Sequence, residues 1–443
     1  MCVPLTHKNQ RRGEIQQMNK INQRLLEIRE TTLIVGVDIS RNVHWARFVD
    51  YRGREVSKAI SFKNNRQGFE NIVSKVQEIC KRSIFKSIVI GMEPTGHYWK
   101  TLAQYLVRAG LRVVCVNPYH TKRSKELDDN SQTASDKKEA LVIARLVKDG
   151  RFFDPYLPQE VYAELRVLTN ARVSAMGRLV SVKNNITAML DEYFPEIWSV
   201  FKNPLTGKTS RQILKSCPFP SFILRLGTEG VLLEIKKAVK RSVGTKKALQ
   251  LVEIAGTSIG IDNGLASAKM RMTMLLNELD MIEKNIEEIE LLMEQMLSAT
   301  GYAEQILGIK GIGIVTAASF LGEVGDPLRF QSARQIANYA GYNLVENSSG
   351  KSKSGTCISK RGRGRLRSLL YQMAFTMVKN NAEMRELHKY LTTRSKNPLK
   401  KKQSLVVVSK KIITVIYSLL KKQTTYDPAL VLGTVRREMM QAA

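Results

Sequence analysis

The stretch Leu33-Ile34-Val35-Gly36-Val37-Asp38-Ile39-Ser40 decides how the rest of the chain is read. An unbroken apolar run rich in β-branched residues, with polar sequence on either side, predicts a buried strand. Its one carboxylate, Asp38, stands near the end of the run. A lone acid on a core strand is costly to desolvate unless something compensates it. Taken singly, Asp38 reads as a turn or cap acid. Its companions change that. Glu93 ends a second apolar run, Ser87-Ile88-Val89-Ile90-Gly91-Met92, and Asp136 and Glu139 stand three apart in a predicted helix, on one face. Acids in strand, strand, helix order point to a metal ion as the compensating charge.

The chain has 443 residues, enough for two or three domains. Its 43% apolar content excludes a wholly disordered chain. Basic residues number 70 against 40 acidic ones, a net charge of +30, which points to a polyanion and first of all to nucleic acid. No segment reads as the roughly 18 consecutive apolar residues of a spanning helix, and no signal peptide opens the chain, so a cytoplasmic location is expected. The cysteines (Cys2, Cys80, Cys115, Cys217, Cys357) contain no Cys-x-x-Cys pair, and the five histidines have no metal spacing. Oxygen ligands remain, which suit Mg²⁺ or Mn²⁺.

Residues 1–30 read as a basic extension, partly disordered until bound, with a weak stripe at Leu25, Leu26 and Ile28. From 31 to about 155 strands and helices alternate. His44 to Val49 and Glu55 to Phe62 form a hairpin about Tyr51-Arg52-Gly53. A helix runs through Phe69, Ile72, Val73, Val76 and Ile79, a strand ends at Glu93, and a helix from His97 to Ala109 precedes a strand from Leu111 to Val116. Such a mixed sheet flanked by helices fits a ribonuclease-H-like domain. Asn117 to Gln132 reads as a loop that adds Asp128 and Asp129.

Residues 156–300 hold two long helices with three-four apolar spacing. One follows Leu165, Leu168, Ala175, Leu179, Val182, Ile186, Met189 and Tyr193. The other follows Leu265, Ala268, Met272, Leu275, Leu279, Ile282, Ile286, Ile289, Met293 and Met296. That spacing favours a coiled coil, between copies slightly ahead of within one. Between them, residues 200–258 show no clear pattern. Residues 301–443 open with Ile306-Leu307-Gly308-Ile309-Lys310-Gly311-Ile312-Gly313, a helix-hairpin-helix turn whose backbone N–H groups can grip a phosphate. Gly341 to Gly350 reads as a loop ending Asn347-Ser348-Ser349-Gly350. Lys351, Lys353, Lys360, Arg361, Arg363, Arg365 and Arg367 follow, leading into an apolar helix from Leu366 to Val378. With Lys310 they form the expected nucleic-acid-binding set.

Convergent carboxylates repel one another unless divalent cations sit between them. Paired ions about 3.5–4 Å apart stabilise both oxygens of a phosphoryl transfer. A serine hydroxyl on a cationic loop, Ser349 here, can attack such a phosphate if a base or metal activates it, provided its domain packs against the acidic one. Composition alone assigns Ser348 and Ser349 to a turn or a cap.

Val35-Gly36-Val37-Asp38, Glu93-Pro94-Thr95-Gly96, Thr133-Ala134-Ser135-Asp136-Lys137-Lys138-Glu139-Ala140, Gly308-Ile309-Lys310-Gly311-Ile312-Gly313, Ser348-Ser349-Gly350 and Ser359-Lys360-Arg361-Gly362 followed by Leu366-Arg367 stand in a familiar order. Together they resemble the DEDD transposases of bacterial insertion sequences, a group related to the Piv-type invertases. The resemblance covers roughly 31–150 and 300–380. It implies a RuvC-like nuclease domain, a coiled coil and a C-terminal transposase domain. It also implies Mg²⁺ on the acids, a serine that links covalently to DNA and a noncoding bridge RNA. Two ions, and a homo-oligomer, dimer or tetramer, are expected besides. Asp38, Glu93 and Asp136 match the first three acids. Glu139 stands where the family has aspartate, and Asp128 or Asp129 is the alternative. Ser349 matches the serine, with Ser348 one register away, and Leu344 stands where the family often has proline. The expected function is cutting and rejoining of element ends and target. The alternatives are a RuvC-type junction nuclease without a serine step and a non-catalytic nucleic-acid-binding copy.

Overall fold

The computed structural model describes residues 21–128, 136–239, 244–345, 348–349, 352–353 and 357–432. The chain divides into two units, residues 1–157 and 158–443.

The first unit is a six-stranded mixed sheet. Its strands are β1 (Thr32–Asp38), β2 (Val43–Val49), β3 (Glu55–Lys63), β4 (Ser87–Met92), β5 (Arg112–Val116) and β6 (Phe152–Phe153), in the order β3-β2-β1-β4-β5-β6. The first three form an antiparallel meander; β4 and β5 add in parallel, and β6 closes the far edge antiparallel. Helices α1 (Arg66–Lys81) and α2 (Trp99–Arg108) cover one face, over Leu33, Val35, Val37, Ile90 and Met92. Helix α4 (Asp136–Lys148) covers the other, over Ile34, Val89 and Val114. Both faces of β1 are therefore dry, which is why its sequence is an unbroken apolar run rather than an alternation.

Gly36 has a packing reason. A Cβ there would meet the Ala140 carbonyl at 2.0 Å and the Ala144 amide nitrogen at 2.5 Å, so α4 rests directly on the β1 backbone. Residues 21–27, expected to be partly disordered, form a helical segment packed on this unit. Ile21 and Leu25 lie against Gly150, and Arg112 donates to Glu27 at 2.6 Å. The segment expected as a loop holds helix α3 (Pro118–Asp128). Asn117 starts it, accepting from the Tyr119 amide at 3.0 Å, with proline at the first helical position. It lacks an apolar stripe, so periodicity missed it.

Among its described residues, the regular structure of the second unit is helical apart from four two-residue strands. Its long helices, α5 (Glu160–Tyr193) and α10 (Leu265–Ala299), pack against each other within the chain, so the seam expected between copies is filled internally. Leu276 and Leu297, one residue beyond the expected Leu275 and Met296, complete the buried stripe of α10. Residues 200–258, opaque in sequence, supply α7 (Lys208–Ser216), α8 (Pro220–Ala238, kinked at Gly227) and α9 (Thr245–Gly256), after a single turn, α6 (Ile197–Val200). These helices pack on one end of the long pair, the C-terminal half of α5 and the N-terminal half of α10, around Phe194, Phe219, Leu251 and Met272.

The other ends of the long pair join a second core built from α11 (Ala303–Leu307), α12 (Ile314–Val324), α13 (Ala333–Tyr339), α14 (Gly364–Asn380), α15 (Ala382–Thr393) and α16 (Lys401–Lys422), with the short α17 (Pro428–Leu432) at its edge. Helix α16 corrects one expectation. By length and composition it is apolar enough to cross a membrane. Its buried residues, among them Leu405, Val408, Ile412 and Ile416, line this core.

Candidate active site

In the first unit the acids are placed by the sheet register. Val37 of β1 pairs with Met92 of the parallel neighbour β4, so Asp38 and Glu93 are the next residues along at one edge. Alternation then sets their faces. Val35 and Val37, like Ile90 and Met92, point to the α1/α2 side, whereas Gly36 and Gly91 abut α4. Asp38 and, one residue past β4, Glu93 fall on the α4 side.

Helix α4 presents its first turn to the same edge. Lys137 Nζ lies 4.7 Å from the ring centroid of Trp45, and Trp45 is the register partner of Asp38 on β2. At the other end of α4, Lys148 packs against Gly53 in the β2–β3 turn. Asp136 and Glu139, both in the first turn of α4, therefore stand near the carboxyl end of β1, on its β2 side. Asp136 is exposed; Asp38, Glu93 and Glu139 are half-buried. The Thr95 hydroxyl donates to Glu93 Oε1, a tether that the sequence reading did not anticipate.

The donor set is all carboxylate oxygen, which fits a hard divalent cation. Among the described residues, no three His, Cys, Asp or Glu side chains stand close enough to hold a metal. Asp38 and Glu93 follow neighbouring strands and α4 begins on the same face, but the acids do not close into a ligand set. Of the alternatives for the fourth acid, Asp128 is the last residue of α3 and Asp129 lies outside the described residues.

In the second unit the serine pair lies on an antiparallel arm rather than a plain loop. Strand β7 (Leu344–Val345) pairs with β10 (Cys357–Ile358), and nested between them β8 (Ser348–Ser349) pairs with β9 (Ser352–Lys353). The register sets Ser349 opposite Ser352 and Ser348 opposite Lys353. Lys351 lies outside the described residues.

The basic run after the arm divides in two. Lys360, Arg361 and Arg365 are exposed. Arg365 nonetheless hydrogen-bonds Asn170 Oδ1. Arg363 and Arg367, expected to meet nucleic acid, turn their guanidinium groups to the protein. Arg363 Nε donates to Glu323 Oε2 at 2.7 Å, and Glu323 is 1% exposed. Arg367 Nη1 donates to the carbonyls of Ala340 (3.0 Å) and Lys360 (3.1 Å). Sequence reasoning missed Glu323, although a lone acid in the apolar helix α12 is the same signal that singled out Asp38. The glycine turn joins α11 to α12 as expected, with Gly311 at φ 100°. Lys310 is exposed at its tip, and its carbonyl accepts from Asn381 Nδ2 at 3.1 Å.

Residues 35–195 match a DEDD-type transposase family model, and residues 303–389 match the transposase model of the IS116/IS110/IS902 family. The chain is 24% identical to the insertion element IS116 44.8 kDa protein of Streptomyces clavuligerus, over 91% of this chain and 98% of that one. It is 29% identical to the transposase for the insertion sequence element IS1111A of Coxiella burnetii, over 89% and 91%. It is 22% identical to the pilin gene-inverting protein of Moraxella lacunata, over 89% and 97%.

Proposed function

The chain belongs to the IS116/IS110/IS902 transposase family, and from that premise we propose that it cuts and rejoins DNA strands with the β1/β4 acids and Ser349. The observation that carries the reading is the shared edge: Asp38 and Glu93 end neighbouring parallel strands on the face where α4 begins with Asp136 and Glu139. An antiparallel meander extended by parallel strands, with helices on both faces, also suits a ribonuclease-H-like, RuvC-type nuclease domain.

Asp38, Glu93, Asp136 and Glu139 would hold Mg²⁺, or Mn²⁺. When bound, such ions offset the charge of the scissile phosphate and favour its entering and leaving oxygens. Ser349 supplies the nucleophile. Its Oγ forms a bond to the scissile phosphorus as the strand's own P–O bond breaks. The hydroxyl proton passes to a base, and the departing sugar oxygen takes up a proton. The phosphoserine ester keeps the energy of the broken bond, so an incoming hydroxyl can reseal the strand without another energy source. The net charge of +30 suits two polyanions, the DNA and a bridge RNA. Among the described residues, Lys310, Lys360, Arg361 and Arg365 are exposed cations suited to this contact. The protein acts as a homo-oligomer in the cytoplasm, where the element's DNA is.

The test is a pair of variants, Asp38→Asn and Ser349→Ala, assayed for recombination and for an SDS-stable protein–DNA adduct. Both are expected to lose recombination by about a thousandfold or more, the scale at which essential groups act. Only wild type is expected to give the adduct. Normal recombination by Ser349→Ala beside a dead Asp38→Asn would remove the serine step and leave metal-dependent hydrolysis of the junction-nuclease kind. An intact Asp38→Asn would leave the edge without a catalytic role.

A further inference from the structure

The serine arm leaves the second unit between two helices. It departs after α13, whose last turn ends at Ala340 and Gly341, and returns through Ser359 to Arg363 at the start of α14. The described contacts at its root are few and specific. Backbone bonds run from the Ser359 amide to the Asn343 carbonyl (2.6 Å), from Lys360 to Gly341 (3.1 Å) and from Arg363 to Tyr339 (2.8 Å). Beyond the root, the described pairs of the arm are Leu344–Val345 with Cys357–Ile358 and Ser348–Ser349 with Ser352–Lys353. The chain joins the arm to α13 and α14 through the root, so the root sets the direction in which the arm leaves.

One side chain ties both strands of that root together. Arg367, in the first turns of α14, sends Nη1 to the Ala340 carbonyl on the outgoing strand and the Lys360 carbonyl on the returning one. Ala340 O is also a carbonyl at the end of α13, where a cation is favoured and a donor is needed. The Arg367 carbonyl in turn accepts from the hydroxyl of Tyr342, which is buried on the outgoing strand, at 3.1 Å.

The chain leaves room for this guanidinium. Gly341 has φ 80°, and a Cβ there would come within 2.9 Å of Arg367 Nη1. At Gly362 a Cβ would meet the Tyr339 carbonyl at 2.5 Å, so the two strands cross at a pair of glycines. Lys360 takes a left-handed conformation, φ 54°, which turns its carbonyl into the crossing. A non-glycine residue held there is a local cost, and such costs collect at functional sites.

We propose that Arg367 is a positioning residue for Ser349: it clasps the root of the arm and sets the arm's direction, and it does not contact DNA. This rests on the serine reading above, and the experiment separates the two. Full-length protein is compared as wild type, Arg367→Gln, Arg367→Lys and Ser349→Ala. Amide hydrogen exchange is followed at 342–345 and 357–360, together with the yield of SDS-stable adduct and DNA affinity across a salt series.

In Arg367→Gln the root amides are expected to exchange about tenfold faster or more, and the adduct yield to fall by at least as much. DNA affinity and its salt slope stay within twofold of wild type. Arg367→Lys keeps the charge and has three donors on one nitrogen but not the planar fork, and recovers both readouts in part. Should Arg367→Gln not fold, the same paired readouts on Arg367→Lys decide the matter. Unchanged root exchange overturns the proposal. So does a loss of DNA affinity with a salt slope smaller by about one, the mark of a phosphate contact. Ser349→Ala leaves the root exchange as in wild type. If that variant recombines normally, the serine reading falls, and exchange in the Arg367 variants alone then decides the clasp.

Discussion

The acid edge and the serine arm are built by opposite means. The edge is held by the core of the first unit: β1 is buried on both faces, and α4 lies backbone to backbone on Gly36. Asp38 and Glu93 keep their places because moving either would shift a core strand. Among the described residues, the root of the arm is held by hydrogen bonds, those of Arg367 among them, and Arg363 at its end pairs with Glu323. Apolar packing fixes a position firmly and without regard to partner identity. A polar anchor is specific, and losing one member leaves the other stranded. The two halves of the proposed chemistry should therefore fail differently, the edge through overpacking and the arm through loss of a single partner.

The largest effect on stability is expected from Arg363→Ala. It leaves Glu323 buried with no cation; Glu323 Oε1 already lacks a hydrogen-bond partner. Removing one member of a buried pair costs about 3–5 kcal/mol. Arg363 is partly exposed, so the lower end is expected, read as a fall in the denaturant midpoint of the second unit. The double variant Glu323→Gln with Arg363→Met should recover most of it. A single variant as stable as wild type would mean that the arm's base does not depend on this pair.

Gly36→Val tests the edge in the opposite sense. The added Cβ cannot coexist with Ala140 O at 2.0 Å, so α4 must lift from β1. Overpacking of this kind costs about 1–3 kcal/mol. Cleavage should also be lost, because Asp136 and Glu139 move with the helix, whereas amide exchange at the arm root should not change. Retention of full cleavage would show that the spacing of α4 from the strands is not what places the acids.

The smallest effect is a pH dependence confined to the first unit. His44 is fully buried beside Phe62 and Phe69, and its Nδ1 accepts from the Ser40 amide at 3.2 Å. Burial pushes its pKa below the ordinary imidazole value, against a weaker upward pull from Asn64. The unfolded chain therefore binds the proton more readily. Stability from this group is complete above about pH 6.5 and is lost as the pH falls from there through the lowered folded value. Urea midpoints of wild type and His44→Gln, compared from pH 7.5 to 5, should converge toward the acid end. His388, also lowered by burial, is common to both and cancels. Parallel curves would show that His44 contributes no such dependence.

Much of the first unit was legible because its signals are local. A continuous apolar run means a strand dry on both sides, and three-residue spacing of acids means one helix face; neither needs to know what lies opposite. Helix α3 escaped because it has a start signal at Asn117-Pro118 but no apolar stripe. The arm escaped because two-residue strands lie below the length at which alternation can be seen. The long helices displayed their stripes plainly, yet a stripe is satisfied equally by a second copy or by the same chain. Only the fold assigned α10 to α5.

What the amino-acid sequence determined by itself was the set of buried surfaces and the order of the chemical groups: Asp38 and Glu93 at the ends of core strands, Asp136 and Glu139 on one helical turn, a serine pair before a basic run. What only the tertiary structure decided was the choice of partners. The logic that flagged Asp38 applies equally to Glu323, but the first stands at an open sheet edge and the second faces Arg363 in a core. Arg363 and Arg367 read in sequence as two more cations for a polyanion, and both are turned inward. Burial periodicity is a property of neighbouring residues. Partner choice depends on distances between residues far apart in the chain, and those exist only once it has folded.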